Sequence, residues 1–97
     1  MNQFIIVGRI VKDLEKESNA ITIAISRHYK NENGEYETDF VDVTIDGTLA
    51  KTTIEYCKKD DIIGVKGSIR SEISNDIKKM ILVAERVTFL SSKKADE

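Results

Sequence analysis

Residues 36 to 46, "YETDFVDVTID", alternate in polarity with a period of two, and Asn33-Gly34 stands just upstream. Val41, Val43 and Ile45 fall on one side of an extended chain. Tyr36, Thr38, Phe40, Asp42, Thr44 and Asp46 fall on the other. The run before the turn, "AITIAIS" at 20 to 26, has the same period, with Ile21, Ile23 and Ile25 on one face and Ala20, Thr22, Ala24 and Ser26 on the other. An Asn-Gly pair between two alternating runs is among the strongest hairpin signals, because both residues tolerate the positive φ of a tight turn. These features predict an antiparallel hairpin with one buried face. They also raise a question, because the polar side of the later strand carries a phenylalanine.

Three more runs complete a strand-rich chain. "NQFIIVGRIVK", residues 2 to 12, is interrupted by Gly8, and "DIIGVKGSIRSEI", 61 to 73, carries Gly64 and Gly67. Glycine inside a strand marks a bulge or a bend. The last run is "MILVAERVTFL", 80 to 90, joined to the one before by the short connection "SNDIKK". Between the third and fourth runs, "TLAKTTIEYCKK" breaks the alternation. Ala50, Ile54 and Cys57 recur at helical spacing, Thr48 after Gly47 is the expected N-cap, and Lys58-Lys59 are expected near the helix end. Three strands, a helix and two strands suit an all-β, five-stranded Greek-key barrel with one short helix between strands 3 and 4. Periodicity alone also permits an α+β sandwich.

The chain has 97 residues, enough for one domain, assigned here to 1–91 with a short polar tail at 92–97. Hydrophobic residues make up 40% and charged residues 33%, an ordinary globular balance. Runs such as Phe4–Val7 fall far short of the roughly 20 apolar residues a membrane span needs, so no membrane partner is expected. Met1 leads straight into a strand-like run without a basic head, so no secretory signal is expected. The single cysteine, Cys57, fits a reducing cytoplasm. Net charge is −2, so any binding to phosphates has to come from local clustering of bases.

Few residues suggest chemistry. His28 is the only histidine and Cys57 the only cysteine, so no metal site is expected. Gly64-Val65-Lys66-Gly67 lacks the spacing and following helix of a phosphate loop. The carboxylates suggest no acid–base pair. No enzyme activity, cofactor or small-molecule substrate is expected.

"FIIVGRIVKDLE", "ISRHYKNENGEYETDFVDVTI", "EYCKKDDIIGVKGSIRSE" and "AERVTFL", in this order, resemble the bacterial single-stranded-DNA-binding proteins. The resemblance runs from Asn2 to Leu90, and Val7-Gly8-Arg9, Asp39-Phe40 and Gly64-Val65-Lys66-Gly67 carry most of it. It implies an OB-fold, an oligonucleotide-binding barrel that assembles as a dimer of dimers and binds single-stranded DNA in replication, recombination or repair. Bases stack on exposed rings while basic side chains follow the phosphates. Phe40 aligns with one stacking aromatic and Tyr29 with a second. Arg70, Lys58 and Lys59 match basic positions of the family, and Arg9, Lys12, Lys30 and Lys66 join them as phosphate-contact candidates. The plain alternative for Phe40 is packing or a subunit contact. Parity with Ile21, Ile23 and Ile25 points Tyr29 inward unless a bulge intervenes. Tyr36 reads as a hairpin cover, Tyr56 as helix packing, and Phe4 and Phe89 as core or interface.

Three departures bear on function. Asp46 stands where the family usually has an aromatic, and the hairpin between the last two strands has none. Two lost platforms at about 1–3 kcal/mol each would cost roughly 2–6 kcal/mol of binding per subunit. Residues 27 to 42 hold two basic residues, Arg27 and Lys30, against five acidic ones: Glu32, Glu35, Glu37, Asp39 and Asp42. The family's long members end in a flexible linker and an acidic tip, whereas this sequence ends in "SSKKADE" and reads as a short, tail-less member. Two readings follow. One is a sequence-tolerant single-strand binder, of accessory or mobile-element type. The other is a primosome-type adaptor or protein-interaction barrel whose DNA face has decayed.

Overall fold

The computed structural model describes residues 1–15 and 19–92. Five strands and one helix follow in the order β1 (Phe4–Ile10), β2 (Ala20–Lys30), β3 (Tyr36–Thr44), α1 (Gly47–Tyr56), β4 (Ile62–Ser74) and β5 (Ile77–Ser91). The strands close into a barrel in the order β1-β2-β3-β5-β4. All neighbours are antiparallel except β3 and β5, which meet in parallel at Val43↔Leu82 and Thr44↔Val83 and so close the sheet. This is the all-β OB-fold, and the sandwich alternative falls away.

Period-two patterning decides what goes inside. Ile21 and Ile23 of β2 and Val43 of β3 turn inward together with Ile10 of β1, Ile45 after β3, and Ile63 and Val65 of β4. These are the largest side chains shut off from solvent, and each contributes about 1.5–3 kcal/mol by leaving water. Helix α1 follows the end of β3 and seats Ala50 and Thr53, with Cys57 beyond it, on the core. Burial, then the nearby charge of Asp61, pushes the Cys57 thiol up from its ordinary pKa.

Two glycines let the wall curve. A methyl group on Gly8 would strike the Ala24 carbonyl oxygen and come within 2.6 Å of Ile23. One on Gly67 would strike the Val83 carbonyl and come within 2.7 Å of Phe4, and the β4–β5 register slips between Lys66 and Gly67. Past the pairing with β3, from Arg70↔Ile81, β4 and β5 continue as a two-stranded arm paired out to Ser74↔Ile77. Asn75 and Asp76, at φ of 53° and 63°, form the two-residue turn. Two positive φ values match a type I′ hairpin turn.

The helix differs from the sequence expectation at both ends. Its N-cap is Asp46, with φ −146° and ψ 177° and no side-chain cap hydrogen bond; Thr48 lies within the first turn. The helix ends at Tyr56, so Lys58 and Lys59 lie beyond its last turn. Tyr56 points into solvent, against the expected helix packing, and Phe89 is half exposed, which removes the core reading and leaves the interface one. Phe4 is buried as expected. The domain assignment ends where β5 does, at Ser91, and residues 93–97 of the expected tail lie outside the described residues.

Candidate nucleic-acid interface

Residues paired directly across a ladder point to the same side of the sheet. Arg9 pairs with Ala24, and Ala24 pairs with Phe40. The outer wall therefore carries a row of a guanidinium, a methyl and a phenyl ring across three strands. Phe40 is 65% exposed, so the ring on the polar side of β3 does meet solvent. In the next row Thr22 pairs with Asp42 and donates a 2.6 Å hydrogen bond to its carboxylate. Asp46 does not extend this face, since β3 ends at Thr44 and Asp46 caps the helix.

Tyr29 is 63% exposed. The β2–β3 register shifts between Ser26 and Lys30, and residues 26–30 are exposed on both parities, so the inward parity of Tyr29 does not bury it. His28 meets its ring edge-on at 5.7 Å. Tyr36 pairs with Lys30, whose ammonium lies 5.7 Å from the ring centroid. Lys30 thus covers Tyr36, a cation–π contact that occupies part of its charge.

The other expected phosphate ligands divide by location. Arg9 is joined to Asp60 at 3.3 Å, with both side chains partly exposed. Lys58 and Lys59 occupy the turn after α1, where their backbone N–H groups donate to Asp61 and Asp13 at 2.8 Å. That turn reaches Arg9 through Asp60. Lys12 lines a shallow cleft of about 90 Å³ beside Asp13 and Glu15. Lys66 is across from Ile5 on one side and Arg86 on the other, on the outer wall of β1, β4 and β5. Arg70 stands exposed on the β4–β5 arm, across from Ile81. The structure thus sets Arg9 and Phe40 on either side of β2, with the Lys58-Lys59 turn joined to Arg9 through Asp60, and leaves Lys66 and Arg70 along β4.

The acidic stretch of β3 is partly neutralised by a residue that sequence reading set aside. Arg27 donates through Nε and Nη2 to both oxygens of Asp39, each at 3.0 Å. Its Nη1 donates to Glu37 at 2.6 Å. The hydrogen bond to Asp39, then the charges of Asp39 and Glu37, hold the Arg27 guanidinium well above its ordinary pKa. The same Arg27 hydrogen bond holds the Asp39 carboxyl below its usual range. The arrangement could have been anticipated only from the cross-strand spacing of an Arg on one strand and two acids on the next.

A second surface feature is apolar. Ile5 and Val7 of β1 are 66% and 52% exposed, and Leu90 is 50% exposed. Val7 and Leu90 approach from either side of Gly64, whose missing side chain leaves the wall flat there.

The sequence model of the single-strand binding protein family matches residues 1–90. The chain belongs to this family. Among its relatives in the family, Single-stranded DNA-binding protein 1 of Clostridium acetobutylicum is 36% identical over 97% of each chain. Single-stranded DNA-binding protein B of Bacillus subtilis is 35% identical over 72% of this chain and 68% of its own length. Single-stranded DNA-binding protein 3 of Listeria innocua is 34% identical over 96% of this chain and 66% of its own length. This member of the single-strand binding family therefore spans nearly all of one relative and about two thirds of the other two. Its barrel also superposes on the mitochondrial single-stranded DNA binding protein of S. cerevisiae, with a TM-score of 0.70 at 19% identity, over 93% of this chain and 94% of that one. The Thermus aquaticus protein gives 0.75 at 15% identity, over 96% of this chain and 52% of that one.

Proposed function

We propose that the chain binds single-stranded DNA without sequence preference, by stacking bases on Phe40 and Tyr29 while Arg9 and the Lys58-Lys59 turn contact phosphates. The observation that carries this reading is the row Arg9–Ala24–Phe40, which sets a solvent-facing ring and a cation on one wall. A nucleobase on the ring leaves its backbone within reach of Arg9. Stacking is sequence-tolerant because every base has a π face. The relatives' names support the same substrate. Lys12, Lys30, Lys66 and Arg70 are secondary phosphate contacts. Replication, recombination or repair in the cytoplasm, in an accessory or mobile-element setting, extends the same reading.

The exposed strip of Ile5, Val7 and Leu90 supports assembly with further copies, as a dimer of dimers. It is apolar, flat at Gly64 and bordered by Lys66 and Arg86.

The second reading is a protein-interaction barrel that binds nucleic acid only weakly, and the carboxylates of β3 favour it. Phe40→Ala separates the two. Under the proposed function it weakens oligo-dT binding about 5- to 150-fold, the equivalent of one base stack, and leaves the oligomer intact. Unchanged oligo-dT binding, or a broken assembly, contradicts it.

A further inference from the structure

The guanidinium of Arg27 has five N–H donors in a planar fork. Asp39 takes two of them, at Nε and Nη2, and Glu37 takes one, at Nη1. The two remaining donors are one on Nη1 and one on Nη2, so Glu37 holds a nitrogen that belongs to the outer Nη1–Nη2 edge. That edge is the one that grips a phosphate through two parallel bonds. Glu37 stands beside it, held by a single bond from Arg27 and by a longer one, 3.3 Å, from the Asn31 amide. Asn31 is itself fixed in the hairpin turn, since its side-chain oxygen accepts from the backbone N–H of Asn33 at 2.9 Å and of Glu35 at 3.0 Å. The two carboxylates thus differ in role. Asp39 fixes the plane and direction of the guanidinium, while Glu37 occupies its outward corner with a charge of the same sign as a phosphate.

We propose that Glu37 is a displaceable gate on Arg27, so that a backbone phosphate of bound single-stranded nucleic acid takes the Nη1–Nη2 edge only as Glu37 leaves it. Asp39 is the positioning residue and stays in place throughout. Arg27 is then a phosphate ligand held in reserve on the β2–β3 hairpin, two residues before Tyr29 on β2. The inference rests on the proposed single-strand binding and adds a competition built into the chain itself. Exposed ion pairs with one hydrogen bond are weak, so a phosphate can replace Glu37. The replacement leaves a carboxylate next to the strand, which holds affinity down.

The test is a double-mutant cycle read by oligo-dT titration across a salt series, using wild type, Glu37→Gln, Arg27→Gln and the double variant. Gln keeps the shape of Glu37 and removes its charge. All three side chains of the cluster are exposed, and a thermal melt of each variant checks that the barrel is intact. The gate predicts that Glu37→Gln tightens binding about fivefold in the wild-type background, the scale of one exposed ion pair. It also steepens the slope of log affinity against log salt by about 0.7, one further phosphate contact on a single strand. In the Arg27→Gln background the same change has little effect on either quantity. Equal gains in both backgrounds mean that Glu37 merely repels the strand, and that overturns the gate. So does an unchanged affinity in Glu37→Gln. If none of the four proteins binds oligo-dT, the proposed function itself fails and the gate falls with it.

Discussion

Arg9 and Phe40 stand opposite the same residue, Ala24, on the two sides of β2. Adjacent strands lie about 4.8 Å apart, so the guanidinium stem and the ring are rooted roughly 10 Å from each other. Only a methyl group stands between them. Arg9→Ala removes the cation of this row and leaves the ring. It is expected to weaken oligo-dT binding and to flatten the salt slope by about 0.7, the loss of one phosphate contact. Lys30→Ala, whose ammonium covers Tyr36, is expected to change the slope less. Equal effects at the two positions would contradict the assignment of Arg9 to the strand-binding row.

The apolar strip on the β1–β4–β5 wall makes a separate prediction. Val7→Glu places a charge where Val7 and Leu90 flank Gly64. Val7 is already half exposed in the single chain, so the barrel is expected to stay folded while the assembly falls apart. Light scattering at micromolar concentration checks this. Wild type should give a multimer and the variant a smaller species, and a monomeric wild type would refute assembly through this wall.

Two glycines of β4, three residues apart, should differ sharply. Gly67→Ala drives a methyl into the Val83 backbone carbonyl, which cannot rotate aside. Urea unfolding should show a loss of about 2 kcal/mol or more, at the upper end for overpacking. Gly64→Ala meets nothing closer than 3.8 Å and should stay within about 0.5 kcal/mol of wild type.

Two of the shifted titrations give stability limbs of known sign. The folded pKa of Asp39 is below its unfolded value, so the unfolded state binds more protons in the ordinary carboxylate range. The contribution of Asp39 is therefore present above that range and disappears as pH falls through and below it. Melts of wild type and Asp39→Asn should differ at neutral pH and converge in acid. The folded pKa of Cys57 is raised, so its burial as a thiol is harmless below the unfolded value near 9 and costs stability as pH rises beyond it. Cys57→Ala should blunt the alkaline fall in melting temperature. An alkaline limb identical in both proteins would contradict the assignment.

Most of the barrel was legible because its signals are local. The Asn33-Gly34 turn and the alternation of β2 and β3 fix which residues enter the core, and Ile21, Ile23 and Val43 are where parity puts them. The bends at Gly8 and Gly67 could be placed, though not the close backbone approaches that require them. Tyr29 shows the limit of parity. Residues 26–30 are exposed on both parities, so inward parity there no longer means burial, and nothing in "SRHYK" announces where the core stops. The helix start failed for a related reason. Gly47 takes a positive φ of 62°, which turns the chain one residue after Asp46 and removes Asp46 from the strand face. The Arg27 cluster was illegible because it spans two strands. The charges of residues 27 to 42 show an acidic patch with Arg27 in it, while only the folded hairpin shows that Arg27 binds two of the five acids.

Equilibrium titration of labelled oligo-dT, with duplex DNA of the same length alongside and repeated from low to physiological salt, tests the central claim most directly. An exposed ring with neighbouring cations predicts clear preference for the single strand and affinity that falls steeply as salt rises. Equal affinity for the duplex, or binding to oligo-dT that ignores salt, would contradict it.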